Sequence, residues 1–195
     1  MSPVKCLGIG CSPRKNGNTD ILLHQAMEGV QVGGGQGELI FLRDFDFRPC
    51  IGCNGCAKAG QCVLKDDMQL IYPKLLEADR VILAAPIFSM GINALAKGFT
   101  DRFQRFWSTK YLLNKKVITE ENRLARKGIF LSTAGTDYDN VFQGAEMVVK
   151  YAFLMLEVDY VGKYLYKKID AKGEIKDYPQ YLKEVFNAGK NLVSS

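Results

Sequence analysis

The stretch VKCLGIGCSPRKNGNT, Val4 to Thr19, decides how the fold is read. Its first half, Val4 to Gly10, is a short apolar run bounded by glycine, as expected of a strand buried on both faces. Its second half, Gly10 to Thr19, gathers Ser, Arg, Gly, Asn and Thr into a turn. That turn opens the helical pattern TDILLHQAMEGV, in which Ile21, Leu22, Gln25, Ala26 and Met27 define one face and Asn18 or Thr19 suits the cap. A turn placed so aims unpaired backbone N–H groups and the positive end of the helix dipole at one point, which favours phosphate. Ser12 and Thr19 add hydroxyls, Asn18 an amide and Arg14 a forked cation. A polar turn closed by a capping Thr would explain Asn18 and Thr19. It would not explain why the other donors cluster behind a buried strand.

Outward from this stretch, strand and helix patterns alternate. GGGQG stops the first helix, and ELIFLRD (Glu38 to Asp44) reads as the second strand. Asp66 or Asp67 starts a helix through MQLIYPKLLEAD, in which Pro73 is expected to introduce a kink or mark the first turn of a second piece. RVILAAPI (Arg80 to Ile87) is the third strand, and a helix is expected from about Asn93 to Trp107. GIFLST (Gly128 to Thr133) is the fourth strand, a helix covers about Val141 to Leu156, and VDYVGKYLY supplies a fifth strand. A last helix begins near Pro179. Such alternation gives a parallel sheet covered by helices on both faces, with ligands bound beyond the carboxyl ends of the strands. The loops after the first, third and fourth strands, and the cysteine-rich loop after the second, therefore become the candidates. With no repeat and no linker, residues 1–195 read as a single domain with a cysteine-rich loop at about 45–65.

The 195 residues are 47% hydrophobic and 24% charged, which argues against disorder. No apolar run reaches the length of a membrane span or a secretory leader, so a cytoplasmic protein is expected. The formal charge is +5, and from Asp101 to Lys127 eight Lys/Arg stand against three Asp/Glu. With no aromatic residues interleaved in a single-strand-binding pattern, this reads as a solvated face, or as attraction for a small anion, and not as a nucleic-acid surface. The P-loop pattern G-x-x-x-x-G-K-[ST] and the dinucleotide pattern G-x-G-x-x-G are both absent. A monophosphate held by hydroxyls and amides remains, and FMN fits that chemistry.

CIGCNGCAKAGQC, Cys50 to Cys62, holds four cysteines spaced C-x2-C-x2-C-x5-C. Cys50, Cys53, Cys56 and Cys62 form a ligand set suited to a [4Fe–4S] cluster, and Gly52, Gly55 and Gly60 leave room for sulfur and for backbone N–H donors. Reduced or redox-active thiols are the second reading. Zinc is the third, since it usually takes two separate chelating pairs. Cys6 and Cys11 read as small buried hydrophobes. The single histidine, His24, has no nucleophile beside it in the sequence, so hydrolytic chemistry has no support.

GCSPRKNGNT resembles the GSPRxxGNT phosphate loop of the NAD(P)H-dependent FMN reductases. PCIGCNGCAKAGQCVLKDDM followed by ADRVILAAPIFSMGINALAKGFTDRF is similar to the iron–sulfur flavoprotein branch of that family. The resemblance covers roughly the first 105 residues closely. It implies a flavodoxin-like three-layer sandwich, with a five-stranded parallel sheet in the order 2-1-3-4-5. It also implies FMN at the strand ends and a homodimer or homotetramer in which partner subunits approach the flavin. Ser12, Arg14, Asn18 and Thr19 would hold the phosphate. Pro86, Ile87, Phe88, Ser89, Met90 and Gly91 would line the ring. Thr133, Ala134, Gly135 and Thr136 would approach the ribityl chain and the pyrimidine side. Many members carry Tyr-Phe or Tyr-Trp where this chain has Ile87-Phe88, so a tyrosine hydroxyl near the ring is missing. The expected activity is electron transfer through FMN from NAD(P)H to a quinone, flavin or similar acceptor. The alternatives are a [4Fe–4S] electron carrier reduced by ferredoxin, and a flavin-binding redox-sensing interaction protein.

Overall fold

The computed structural model describes residues 3–118 and 125–194, so Glu120, Glu121 and Arg123 of the basic stretch lie outside the described residues. The chain begins with β1 (Lys5–Gly10), whose apolar run leads through the Ser12–Gly17 turn into α1 (Asn18–Val32). β2 (Gln36–Phe41) follows, then a single 3-10 turn, Leu42–Asp44. The cysteine-rich loop contains only one helical turn, α2 (Cys56–Ala59), before α3 (Met68–Glu77) and β3 (Arg80–Ala84). A two-stranded antiparallel hairpin, β4 (Ile87–Phe88) and β5 (Gly91–Ile92), leads to α4 (Ala94–Asp101) and α5 (Gln104–Trp107). The chain closes with β6 (Lys127–Thr133), α6 (Gln143–Met155), β7 (Asp159–Tyr166) and α7 (Pro179–Ser194).

The five long strands pair in parallel in the order β2-β1-β3-β6-β7, the 2-1-3-4-5 order of the flavodoxin-like fold. The register sets Ile9 beside Ile40 and Leu83, and Leu83 beside Phe130. Side chains of neighbouring residues leave a strand on opposite faces, and the core divides accordingly. Leu7, Ile9, Val81, Leu83 and Phe130 join one apolar cluster with α3 to α6. Cys6, Ile82, Ala84, Ile129 and Leu131 join the other with α1 and α7. The near-continuous apolar runs of β3 and β6 follow from this double coverage. No helix among the described residues is long and apolar enough to cross a membrane.

Four local expectations are corrected. α3 runs through Pro73 as one helix, so the proline does not open a second piece. β3 stops at Ala84: Ala85 still donates to the Leu131 carbonyl, but Pro86 has no N–H to offer and the chain turns into the hairpin. The helix expected from Asn93 to Trp107 is broken after Asp101, where Arg102 and Phe103 make short bonds to Phe99 and Thr100, three residues back. The cap of α1 is Gly17, and Asn18 and Thr19 are its first helical residues.

Candidate functional site

The carboxyl ends of β1, β3, β6 and β7 meet at one edge of the sheet and enclose a cleft. Ser12, Arg14, Gly17, Asn18 and Thr19 form one wall, and Pro86, Ile87 and Phe88 the second. Thr133, Gly135, Ile169 and Asp170 form the third. Three loops named from the sequence are thus brought together. Ser89, Met90 and Gly91 stand on the hairpin tip beyond the enclosed part, with Ser89 and Met90 both at positive φ. Ala134 is buried behind the third wall and Thr136 is exposed at its rim.

The phosphate loop is held largely by its own polar groups. The Arg14 N–H donates to Ser12 Oγ at 3.1 Å, and the Gly17 N–H to the Arg14 carbonyl at 3.2 Å. A Cβ on Gly17 would lie 3.1 Å from that carbonyl and 3.6 Å from Ser12 Oγ, so glycine keeps the cradle open. Ser12, Asn18 and Thr19 are buried polar residues, and the first-turn N–H groups of α1 have no acceptor within the helix. The enclosed volume is about 70 Å3, which suits the atoms of a phosphate group and excludes a three-ring system. Phe88, half exposed at the mouth, is the aromatic surface nearest to where a ring would rest.

The loop after β7 was not foreseen. Arg14 Nη1 donates to the Asp170 carbonyl at 3.3 Å, which lays the guanidinium across the cleft mouth. The Asn18 amide donates to the Ala171 carbonyl at 2.9 Å and accepts from the Ile175 N–H at 3.2 Å. Asn18 therefore ties that loop to α1, which accounts for its position better than helix capping does. The rule that every strand end contributes to such a cleft was the available signal.

The four loop cysteines line a second cavity, of about 290 Å3, together with Asp101, Arg102, Gln104 and Arg105. Gly52, Asn54 and Gly60 have positive φ, which lets the short loop fold back repeatedly. Arg102 Nη2 donates to Cys62 Sγ at 3.3 Å, and Cys56 Sγ lies 3.2 Å from Ser108 Oγ. The Arg102 side chain is fully buried. It forks onto the Asp66 carboxylate at 2.6 and 3.0 Å and donates to the Arg48 carbonyl at 2.7 Å. Burial pushes the Asp66 carboxyl up, but the Arg102 hydrogen bonds and the Arg48 N–H outweigh it and hold it below the usual carboxylate range. Asp66 is thus an anchor for the cysteine loop besides accepting the Met68 N–H at the start of α3. The signal for Arg102 was its place on an otherwise apolar stripe with Phe99, Phe103 and Phe106.

Among the described residues no three His, Cys, Asp or Glu side chains close on a point that one ion would occupy. A tetrahedral zinc site needs that convergence. In a four-iron cluster each thiolate takes its own iron, so the sulfurs stand around a cavity instead. Here four cysteines and two arginines border one cavity. Cys6 and Cys11 are buried in the core. Burial is the main cause that pushes the Cys6 thiol up to about 12 and the Cys11 thiol higher still, so both are inert. His24 is exposed and packs against Phe41, away from the cleft.

A family model described as NADPH-dependent FMN reductase matches residues 4–144. An iron–sulfur flavoprotein of Methanocaldococcus jannaschii is 40% identical over 99 residues, covering 51% of this chain and 51% of the relative. One from Archaeoglobus fulgidus is 33% identical over 114 residues, covering 58% and 56%. The chain spans about half the length of the curated relatives it matches. Among solved structures, an NAD(P)H:quinone oxidoreductase from Methanothermobacter marburgensis superimposes with a TM-score of 0.70 at 16% identity over 98% of both chains. A flavone reductase does so at 0.72 and 20%, over 97% of this chain and 62% of that one. At such identities these structures speak for the fold alone.

Proposed function

Because the chain belongs to the NADPH-dependent FMN reductase family, we propose that it is an FMN-binding oxidoreductase passing electrons from NAD(P)H to a quinone, flavin or similar acceptor. The observation that carries this is the cleft, in which a phosphate-sized enclosure built from Ser12, Arg14, Asn18 and Thr19 opens onto an apolar mouth at Phe88. When bound, FMN supplies hydride and single-electron chemistry, and the protein supplies binding, orientation and electrostatics. Arg14 and the first-turn N–H groups of α1 would hold the phosphate. Pro86, Ile87, Phe88, Ser89, Met90 and Gly91 would support the ring from the hairpin. Thr133, Ala134, Gly135 and Thr136 would border the ribityl chain and the pyrimidine edge. No side-chain acid or base is needed in this reading. The whole of residues 1–195 forms one flavin domain in it, acting in the cytoplasm as a homodimer or homotetramer.

The Arg14→Ala/Thr19→Ala double variant tests the placement. Its FMN retention after gel filtration is expected to fall well below wild type, and wild-type retention would overturn it. Steady NADH or NADPH oxidation coupled to a quinone supports the donor assigned above. Flavin bound without turnover by nicotinamide or ferredoxin would leave a flavin-binding protein read by a partner.

The cysteine cavity favours a second reading, in which Cys50, Cys53, Cys56 and Cys62 hold a [4Fe–4S] cluster and a ferredoxin-type donor supplies the electrons. Four thiol side chains bordering one cavity, with Arg102 and Arg105 to offset their charge, are what supports it. Anaerobic purification with iron, sulfide and FMN assays decides: about four irons and four sulfides per chain are expected. Absence of iron after anaerobic reconstitution removes this reading and leaves the first intact.

A further inference from the structure

Beneath the phosphate loop lies an ion pair that does not face the cleft. Asp20, in the first turn of α1, is 1% exposed. Its Oδ2 accepts the Asn16 N–H at 2.9 Å, which fixes the far side of the loop. Arg43, from the 3-10 turn after β2, reaches the same carboxylate with Nη2 2.9 Å from Oδ2 and Nη1 3.2 Å from Oδ1. Nη1 also donates to the Ser12 carbonyl at 3.1 Å, and the guanidinium rests on the Phe41 ring 4.3 Å from its centroid. Neither side chain borders the cleft, yet the pair clasps both ends of the loop that does, Ser12 and Asn16.

A buried carboxylate behind a phosphate cradle is a liability, because in a medium of low dielectric it repels the incoming anion. It also performs a necessary task, since it satisfies a loop N–H that a neutral apolar residue would leave unpaired. Arg43 resolves the conflict by cancelling the charge while the hydrogen bond stays. We infer that Asp20 and Arg43 are a positioning pair that sets the preference of this cleft for a phosphorylated flavin over the same flavin without phosphate. The inference rests on the FMN reading above and goes beyond it, by assigning the preference to two residues that touch no ligand.

The pair predicts opposite signs for its two halves, which a purely structural role does not. Arg43→Gln leaves the buried anion uncompensated, so FMN affinity falls by about tenfold or more while riboflavin affinity changes by less than about threefold. Asp20→Asn keeps an acceptor for the Asn16 N–H and leaves Arg43 as an unmatched cation. FMN affinity then rises by about threefold or more, and riboflavin affinity again stays put. Both dissociation constants are read from quenching of flavin fluorescence on titration into apoprotein. If Arg43→Gln does not fold, Asp20→Asn decides alone: a raised FMN-to-riboflavin preference supports the inference, and an unchanged or lowered one overturns it. Equal weakening of both flavins in the two variants also overturns it. If the wild-type protein has no preference for FMN over riboflavin, the flavin placement itself fails, a result distinguishable from failure of the pair.

Discussion

Gly189→Ala is a substitution for which two physical effects pull in opposite directions and the structure says which prevails. Gly189 lies inside α7, where alanine is the better helix former by about 1 kcal/mol. An alanine Cβ at this position would sit 1.9 Å from the Ala26 carbonyl oxygen and 2.8 Å from its carbon, both backbone atoms of α1. Across the interface Gly29 is matched in the same way, with a Cβ position 2.0 Å from the Phe186 carbonyl oxygen. The helices thus touch backbone to backbone, and neither contact is relieved by turning a side chain. Restoring an ordinary contact of 3.4 Å means moving α7 off α1 by about 1.5 Å. That loosens Leu22, Ala26 and Val30 from Val185 and Leu192 in the apolar cluster on this face. Forced expansion of a packed core costs about 3 kcal/mol at the upper end of its usual range, so about 2 kcal/mol of destabilisation remains after the propensity gain. For a chain of this length that corresponds to a Tm lower by about 4–8 °C, read by circular dichroism. Gly91→Ala serves as the control, since a Cβ there meets nothing within 4 Å, and its stability stays within about 0.5 kcal/mol of wild type. A Gly189→Ala protein that melts at or above wild type would refute the reasoning, because propensity would then have won over packing.

Three further outcomes are expected. Arg102→Met removes the buried partner of Asp66 and lowers stability by about 3 kcal/mol, measured by urea denaturation. Asp66 is held below its usual value in the fold, so the stability it contributes is present above its unfolded value near ~4 and is lost as pH falls through the lower, folded one. Asp66→Asn should therefore melt lower at neutral pH and lose less on acidification below about pH 4; an unchanged pH profile contradicts the assignment. Gly60→Ala meets both a φ of +66° and a Cβ position 2.3 Å from Thr109 Oγ1. On the cluster reading, iron retained after anaerobic reconstitution should drop in this variant, while FMN retention stays at the wild-type level.

What was legible in the sequence was local. The phosphate loop could be read because its donors sit within ten consecutive residues behind a strand whose burial shows in its composition. That β3 and β6 are covered on both faces could be read from their near-continuous apolar runs, whereas the strand order came with the family resemblance. The partners of Arg43, Asp170 and Arg102 could not be read, since each lies far along the chain: Asp20, Arg14 and Cys62. Spacing within a motif carries no trace of such pairs. Asn18 is the instructive case. Its residue type fits a helix cap, and what moved it to another task is the loop after β7, which lies more than 150 residues away yet packs on its amide.

α4 connects the two candidate sites, and its length bears on what they can do together. At its head, buried Asn93 caps the helix by accepting the Ala96 N–H at 2.9 Å, and its amide donates to the Cys11 carbonyl at 2.7 Å, at the root of the phosphate loop. Just past its tail, Arg102 holds Cys62 and Asp66. Midway, Gly98 lets Pro49 approach the helix, where a Cβ would lie 3.3 Å from the proline ring, and Pro49 directly precedes Cys50. Eight helical residues span about 12 Å, so the cysteine cavity and the phosphate loop are held apart by a hydrogen-bonded rod pinned at both ends. A reduced thiol loop with no redox task could hang from the sheet edge at any distance. Groups that exchange electrons need a reproducible separation, which sites supported on helices and strands provide better than sites on free loops. The cysteine loop has almost no regular structure of its own, so its position is supplied by α4 through Arg102 and by the Asp66 anchor ahead of α3. That arrangement places the burden of geometry on the residues least visible in the motif, and it is why Arg102 is as decisive a position to test as the cysteines themselves.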